Sequence, residues 1–223
     1  TVAPGQSLSL TGGTVVNTGQ LSAPGGNILI AAVPGQNLVR ISQAGNLLSL
    51  DVQPTATQSS LPNNWTQPVL SLPELLTGKG VAQATNLTVN PNGDVVLTGN
   101  VAVPVAAGTA IASGRINVSG NTGGNVTILG DRVGVITGNI DASGVNGGGN
   151  VLIGGDEHGL GTVPNALRTF VSGDSKINAD AISNGNGGRV IVWADEANRL
   201  KGNITARGGW FSGNGGIGEV TGK

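Results

Sequence analysis

Asp156-Glu157-His158 is the densest run of chemically capable side chains and holds the single histidine. Two carboxylates beside an imidazole suit a divalent cation, or general acid–base work on a glycan. A cation site needs several convergent ligands, and proton transfer needs partners within hydrogen-bond reach. Three consecutive residues project in different directions, so this run reads as a solvated turn. Asp141, Asp174, Asp180, Asp195 and Glu196 are the other carboxylates considered. Glycoside hydrolysis needs two of them across one cleft, yet they do not recur as a stack of acidic positions. A lyase would add a basic residue beside clustered aspartates, and none can be placed. Gly213-Asn-Gly-Gly-Ile-Gly218 matches G-x-G-x-x-G by letter, but the following GEVTGK cannot supply the helix that dinucleotide binding requires. Thr77-Gly78-Lys79-Gly80 lacks the upstream glycine and the Ser/Thr of a phosphate loop. Catalytic, cofactor and metal residues are therefore all expected to be absent, and the chain is expected not to be an enzyme.

The aromatic residues leave one candidate. Trp193 continues an apolar strand and is expected to pack under an adjacent excursion of the chain. Trp210-Phe211 lies between glycines in a turn, where both rings would face solvent. Exposed rings can stack on sugars or anchor a partner, and can equally cover the edge of a fold. Trp210 and Phe211 are the candidate ligand contacts.

Composition narrows the rest. Of 223 residues, 38% are hydrophobic, but aromatics are only 2% and charged residues only 10%, and 40 are glycine. The apolar side chains are mainly Val, Ile, Leu and Ala, which suit short strands. Gly and Asn interrupt the chain too often for long helices. Net charge is −1, without clusters of Lys and Arg, which argues against nucleic acid and against an electrostatic membrane partner. No run approaches a membrane span. Cysteine and methionine are both absent. The first excludes disulfides, and the second leads us to expect an excised or processed piece.

One phrase organises the chain: a short I-x-A/V strand, a Gly/Asn turn, a Gly-Gly pair, then a V-x-I/V strand. It runs through Gly19–Ile30, Gly114–Gly130, Gly138–Gly155, Lys176–Ala194 and Gly202–Gly222. The second glycine of each pair falls at 26, 124, 149, 188 and 216. A step of 25 residues from Gly124 to Gly149 is a solenoid period. Ile140/Ala142, Val151/Ile153, Ile177/Ala179, Val190/Val192 and Ile204/Ala206 alternate with polar or small neighbours, as strands with one buried face do. Such short strands must stack on their counterparts in the next coil. The expected fold is all-β, a right-handed parallel β-helix with short extra-helical insertions, occupying residues 1–223 as a single segment. At this period the chain would make about nine coils, a rod of ~40 Å. Insertions are expected near 53–85, Pro-rich with a short helix opening at Ser71-Leu-Pro-Glu74, and near 156–170. Asp195–Leu200 is expected to be a smaller excursion.

The run from Gly147 to Lys223 carries a family resemblance. GGGNVLIGGDEHGLG, SKINADA, GNGGRVIVWADE, GNITARGG and GNGGIGEVTGK follow one another there. This order resembles the region downstream of the secretion domain in two-partner-secreted exoproteins, the filamentous haemagglutinin and high-molecular-weight adhesin family. Gly93–Gly130 resembles it more loosely. The resemblance implies export through an outer-membrane transporter partner, secretion to the bacterial cell surface, and a structural or adhesive role in cell adhesion or aggregation. A glycan or a cell-surface receptor would be the partner. The family's secretion domain carries Asn-Pro-Asn near the mature N-terminus. Here Asn90-Pro91-Asn92 occurs once, mid-chain, and reads as a turn, so the piece is expected to lie downstream of that domain. A polysaccharide-active enzyme and a ligand-free mechanical stalk are the competing functions.

Overall fold

The computed structural model describes residues 1–33, 39–42, 49–52, 87–89, 95–97, 101–102 and 107–222. The first coil is β1 (Ser7–Gly12), β2 (Thr14–Asn17) and β3 (Gln20–Ser22); β4 (Asn27–Ala32) opens the second. Two small antiparallel sheets follow in sequence: β5 (Val39–Ser42) with β6 (Ser49–Val52), then β8 (Val95–Leu97) between β7 (Leu87–Val89) and β9 (Val101–Ala102). Beyond them β10 (Thr109–Ala112) and β11 (Arg115–Asn117) complete the second coil. The third is β12 (Asn125–Leu129), β13 (Arg132–Val135) and β14 (Asn139–Asp141), and the fourth β15 (Asn150–Ile153), β16 (Arg168–Val171) and β17 (Lys176–Asn178). The fifth is β18 (Arg189–Ala194), β19 (Ala197–Leu200) and β20 (Asn203–Thr205), and β21 (Ile217–Gly222) adds one strand more.

Every pairing between coils is parallel and in register, which makes the chain a parallel β-helix. The first sheet orders β1-β4-β12-β15-β18-β21, the second β2-β10-β13-β16-β19, and the third β3-β11-β14-β17-β20. Register places Ile28, Val126, Val151 and Val190 in one column, and Leu21, Ile116, Ile140, Ile177 and Ile204 in another. The alternating positions read from sequence therefore point inward. Ile140, Ala142, Val151, Ile153, Ile177, Ala179, Val190 and Val192 are core residues, with Ile204 and Ala206 packed against them. A buried Ile or Val stabilises by about 1.5–3 kcal/mol, and here each also fills the hollow of the coil below.

Asn117, Asp141 and Asn178 end the strands of the third sheet and turn the chain by the same device. Each side-chain oxygen accepts the backbone N–H two residues on, at 2.9, 3.1 and 2.9 Å. The paired glycines answer a closer constraint. A Cβ on Gly124 would overlap the carbonyl of Gly26, one on Gly149 that of Gly124, one on Gly188 that of Gly149, and one on Gly216 that of Gly188. Successive coils touch backbone to backbone along this column, which is why the repeat is written in glycine.

Two expectations change. Among the described residues the rod has five coils and one further strand, spanning about 24 Å from first to last strand of the first sheet, not nine coils. The count was too high because the chain between β4 and β10 was divided at the solenoid period, whereas both strands belong to one coil. Asp195–Leu200 is not an excursion either: Ala197–Leu200 is β19, pairing in parallel with β16. Its polar sequence fits because Asn198 donates to the carbonyls of Val192 and Thr221 at 2.6 and 2.7 Å. The insertion expected near 53–85 and its short helix lie outside the described residues, as do Asn90-Pro91-Asn92 and Thr77–Gly80.

Candidate functional site

Two features flank the last strands of the first sheet. One is the segment from Asp156 to Leu167, which leaves the rod between β15 and β16. The chain turns outward at Gly154 (φ 77°), and Asp156 Oδ1 accepts the Glu157 N–H at 2.7 Å, opening a single 3-10 turn, Glu157–Gly159. Ala166 N–H returns to the Gly154 carbonyl at 2.6 Å. Between these points the segment lies over the outer face of the sheet and buries Leu152, Ile191 and Trp193 together with Val163. Trp193 donates from Nε1 to Asp195 Oδ1 at 3.0 Å, and Asn165 Nδ2 reaches the same oxygen at 3.2 Å. Gly159, at φ 65°, has no room for a side chain against the indole ring.

Charge locks this clasp to the rod. Arg189, at the start of β18, donates from Nη2 to Asp156 Oδ1 and, at 3.1 Å, to Glu157 Oε2. The Glu157 backbone N–H, followed by Arg189, holds the Asp156 carboxyl below its usual range against the opposing effect of burial. Burial favours neutral Arg189, but the two carboxylates outweigh it and keep it cationic.

The structure adds a residue here that the local sequence does not announce. Glu219 lies on β21, and its Oε1 accepts the His158 backbone N–H at 3.1 Å. Glu157, His158 and Glu219 offer ligand atoms within 4.8 Å of one another, and could hold a divalent cation. Their existing partners already organise them: Glu157 faces Arg189, and Glu219 also accepts the Thr221 hydroxyl. Asp156-Glu157-His158 is the turn expected from sequence, with His158 exposed. Its neighbours across the register, Arg189 and Glu219, were missed because only strand pairing brings them close.

The other carboxylates have structural partners. Asp141 accepts the Ser143 hydroxyl at 2.6 Å, Asp174 that of Ser172, and Glu196 faces Arg168 Nε at 3.2 Å. Asp180 is buried and receives Arg207 three times, from backbone N, Nε and Nη2 at 2.7, 2.9 and 2.7 Å. Burial alone would raise its pKa; the Arg207 hydrogen bonds and charge outweigh this and lower it. With Asp195, which accepts from Trp193 and Asn165, all five carboxylates have a structural neighbour.

The second feature is the turn joining the third sheet to the first, which stacks from coil to coil. Val145 N–H bonds the Gly120 carbonyl, Ile182 that of Gly144, Trp210 that of Ile182 and Phe211 that of Ser183, at 2.8–3.1 Å. Val145, Ile182, Trp210 and Phe211 are exposed by 42, 56, 88 and 78%. Beside them runs an amide ladder. Asn146 Nδ2 donates to Asn121 Oδ1 at 2.9 Å, Asn184 Nδ2 to Asn146 Oδ1 at 3.4 Å, and the Ser212 hydroxyl to Asn184 Oδ1 at 3.2 Å. Paired glycines of the same turns line a groove of about 460 Å³ together with Asn125, Asn150, Asn186, Arg189 and Ile217. The glycine-rich match at 213–218 runs into β21, a strand.

Trp210 and Phe211 therefore stand in solvent as expected, at the end of a polar and apolar strip that sequence reasoning did not assemble. The recurring Asn of each turn was its signal. Among the described residues no helix is long and apolar enough to cross a membrane. No family model matches the sequence, and no curated protein matches it. The chain is similar in structure to the HMW1 secretion domain from Haemophilus influenzae, with a TM-score of 0.46 and 21% identity over 95% of this chain, and it spans 58% of the length of that one.

Proposed function

We propose that this chain is a structural and adhesive surface module of a large secreted exoprotein of the filamentous haemagglutinin type, without catalytic activity. Its parent is exported by an outer-membrane transporter partner, and this piece sits downstream of the export domain, on the bacterial surface. The order of motifs from Gly147 to Lys223 supports the family. The solitary mid-chain Asn90-Pro91-Asn92 supports the placement. Against an enzyme stand Asp141, Asp174, Asp180, Asp195 and Glu196, each bonded to a structural neighbour.

The observation that carries the adhesive part is the exposure of Trp210 and Phe211 at 88 and 78%. Large rings left in water on an otherwise polar turn mark a place where something else is bound. The test is binding of the purified chain to intact cells and to a broad set of polysaccharides and surface proteins. Saturable binding that weakens in Trp210→Ala is the expected result. No saturable binding to any of them would leave a ligand-free stalk as the function.

A further inference from the structure

We infer that the turn face formed by Val145, Ile182 and Trp210 with the adjoining amide ladder binds a linear, uncharged polysaccharide laid along the rod axis. This deepens the adhesive reading above and rests on it. Three observations carry it.

The first is the pairing of surfaces. A sugar ring offers an apolar C–H face and a rim of hydroxyls. The turn offers an exposed apolar column ending in two aromatic rings, and immediately beside it a row of amides and a hydroxyl. An amide carries two N–H donors and an oxygen with two lone pairs, and each step of the ladder uses one of each. The remaining donors and lone pairs suit hydroxyls, which both give and accept. The glycine N–H groups beside the ladder do not compete for this role. Gly124, Gly149, Gly188 and Gly216 bond the carbonyls of Val118, Ala142, Ala179 and Ala206.

The second is charge. The turn segments 119–124, 143–149, 181–188 and 208–216 contain no Asp, Glu, Lys, Arg or His. The two cations that adjoin them in sequence are committed, Arg207 to Asp180 and Arg189 to Asp156 and Glu157. An acidic polysaccharide, a phosphate or an anionic membrane would need uncommitted cations. An uncharged chain needs none.

The third is repetition. The ladder presents one polar side chain in each of four successive turns, Asn121, Asn146, Asn184 and Ser212, at strand spacings of about 4.8 Å in a line parallel to the rod. A ligand that uses several rungs must itself repeat, which favours a polymer over a compact molecule.

The test titrates the whole chain with soluble neutral glucan and mannan oligosaccharides of increasing length, in parallel with heparin and polygalacturonate. Tryptophan fluorescence and calorimetry serve as readouts, and the cell-binding assay is run on the same preparation. The expected result is binding of at least one neutral series that tightens with length, is unchanged by salt, and is accompanied by a blue shift of Trp210 emission. Trp210→Ala should weaken it about tenfold, and Phe211→Ala, equally remote from the core, should weaken it less. Joint replacement Asn146→Ala and Asn184→Ala should weaken it as well, with denaturation curves confirming an intact fold. Salt-sensitive preference for the acidic polymers would overturn the inference, as would neutral binding indifferent to Trp210→Ala. Cells bound without any neutral glycan would sink the neutral polysaccharide as ligand and leave the adhesive reading standing. Neither cells nor glycans bound would remove both.

Discussion

Trp193 and Trp210 belong to the same stretch of the rod and meet opposite ends. Trp193 sits on the outward face of β18, where a large ring would be as wet as any, yet it is 5% exposed. The chain itself supplies the cover. It leaves at Gly154, lays Val163 and the 3-10 turn over the indole, and is tied down by Arg189, Asp156 and Asn165. Trp210 is on a turn where no segment of the described chain crosses above, and it is 88% exposed. Covering an outer face requires ordering an extra segment against its entropy, and the fold does so at one site and omits it at the other. The ring left without a lid is the one to which the proposed binding is assigned.

Four changes break or sharpen this contrast. The largest effect belongs to neither tryptophan. Gly149→Val forces a side chain into the carbonyl of Gly124 and should separate the third and fourth coils. A loss of about 4 kcal/mol or more is expected in chemical denaturation, enough to collapse the transition. Trp193→Ala comes next, at about 3 kcal/mol for a buried ring that leaves a cavity. Limited proteolysis should then cut between Asp156 and Leu167 first, while circular dichroism of the strands persists. Wild-type stability that is unaltered by this change would mean that the clasp is not held by the ring.

Acid should act on both regions by a smaller amount. Asp156 in the clasp and Asp180 beneath the exposed turn have carboxyls held below their usual range. Groups depressed in the folded state bind fewer protons folded than unfolded. Their stabilisation is full above the unfolded carboxylate pKa of about 4 and is lost as pH falls through the folded values. Asp180→Asn should remove part of that acid sensitivity and cost on the order of 1 kcal/mol at neutral pH. Urea midpoints collected from neutral to low pH, variant against wild type, check both statements. Trp210→Ala should do least to stability, within about 0.5 kcal/mol, since its ring packs on little. A thermal midpoint that fell substantially would show that Trp210 covers the fold, and the contrast with Trp193 would fail.

The inward columns were legible because alternation survives in short strands. Ile140/Ala142 and Val190/Val192 read as one buried face and the pairs ending at Gly149 and Gly188 as a solenoid period, whereas the backbone contact those glycines permit between coils is visible only in the structure. The exposure of Trp210-Phe211 followed from its glycine neighbours. What stayed hidden depends on register. Glu219 meets His158 because β21 pairs with β18, a partnership between residues sixty-one positions apart that no local pattern encodes. The amide ladder was visible as recurring asparagines, but its continuity required knowing which turn lies on which. Ala197–Leu200 looked like a loop because its strand sets a half-buried asparagine against carbonyls instead of a second aliphatic side chain.

The departure between β4 and β10 has a kinetic consequence. The second coil begins at Asn27 but cannot close until Thr109 arrives, whereas the third closes across the short corner Gly130-Asp131. Loop-closure entropy grows only logarithmically, so spanning about 75 residues instead of two costs on the order of 3 kcal/mol. The native fold tolerates that readily, but the search for long-range partners is slow. The coils from β10 onward can therefore assemble first from near neighbours, and β1 to β4 dock onto a template already made. Although synthesised first, the amino-terminal strands would be the last to find their places.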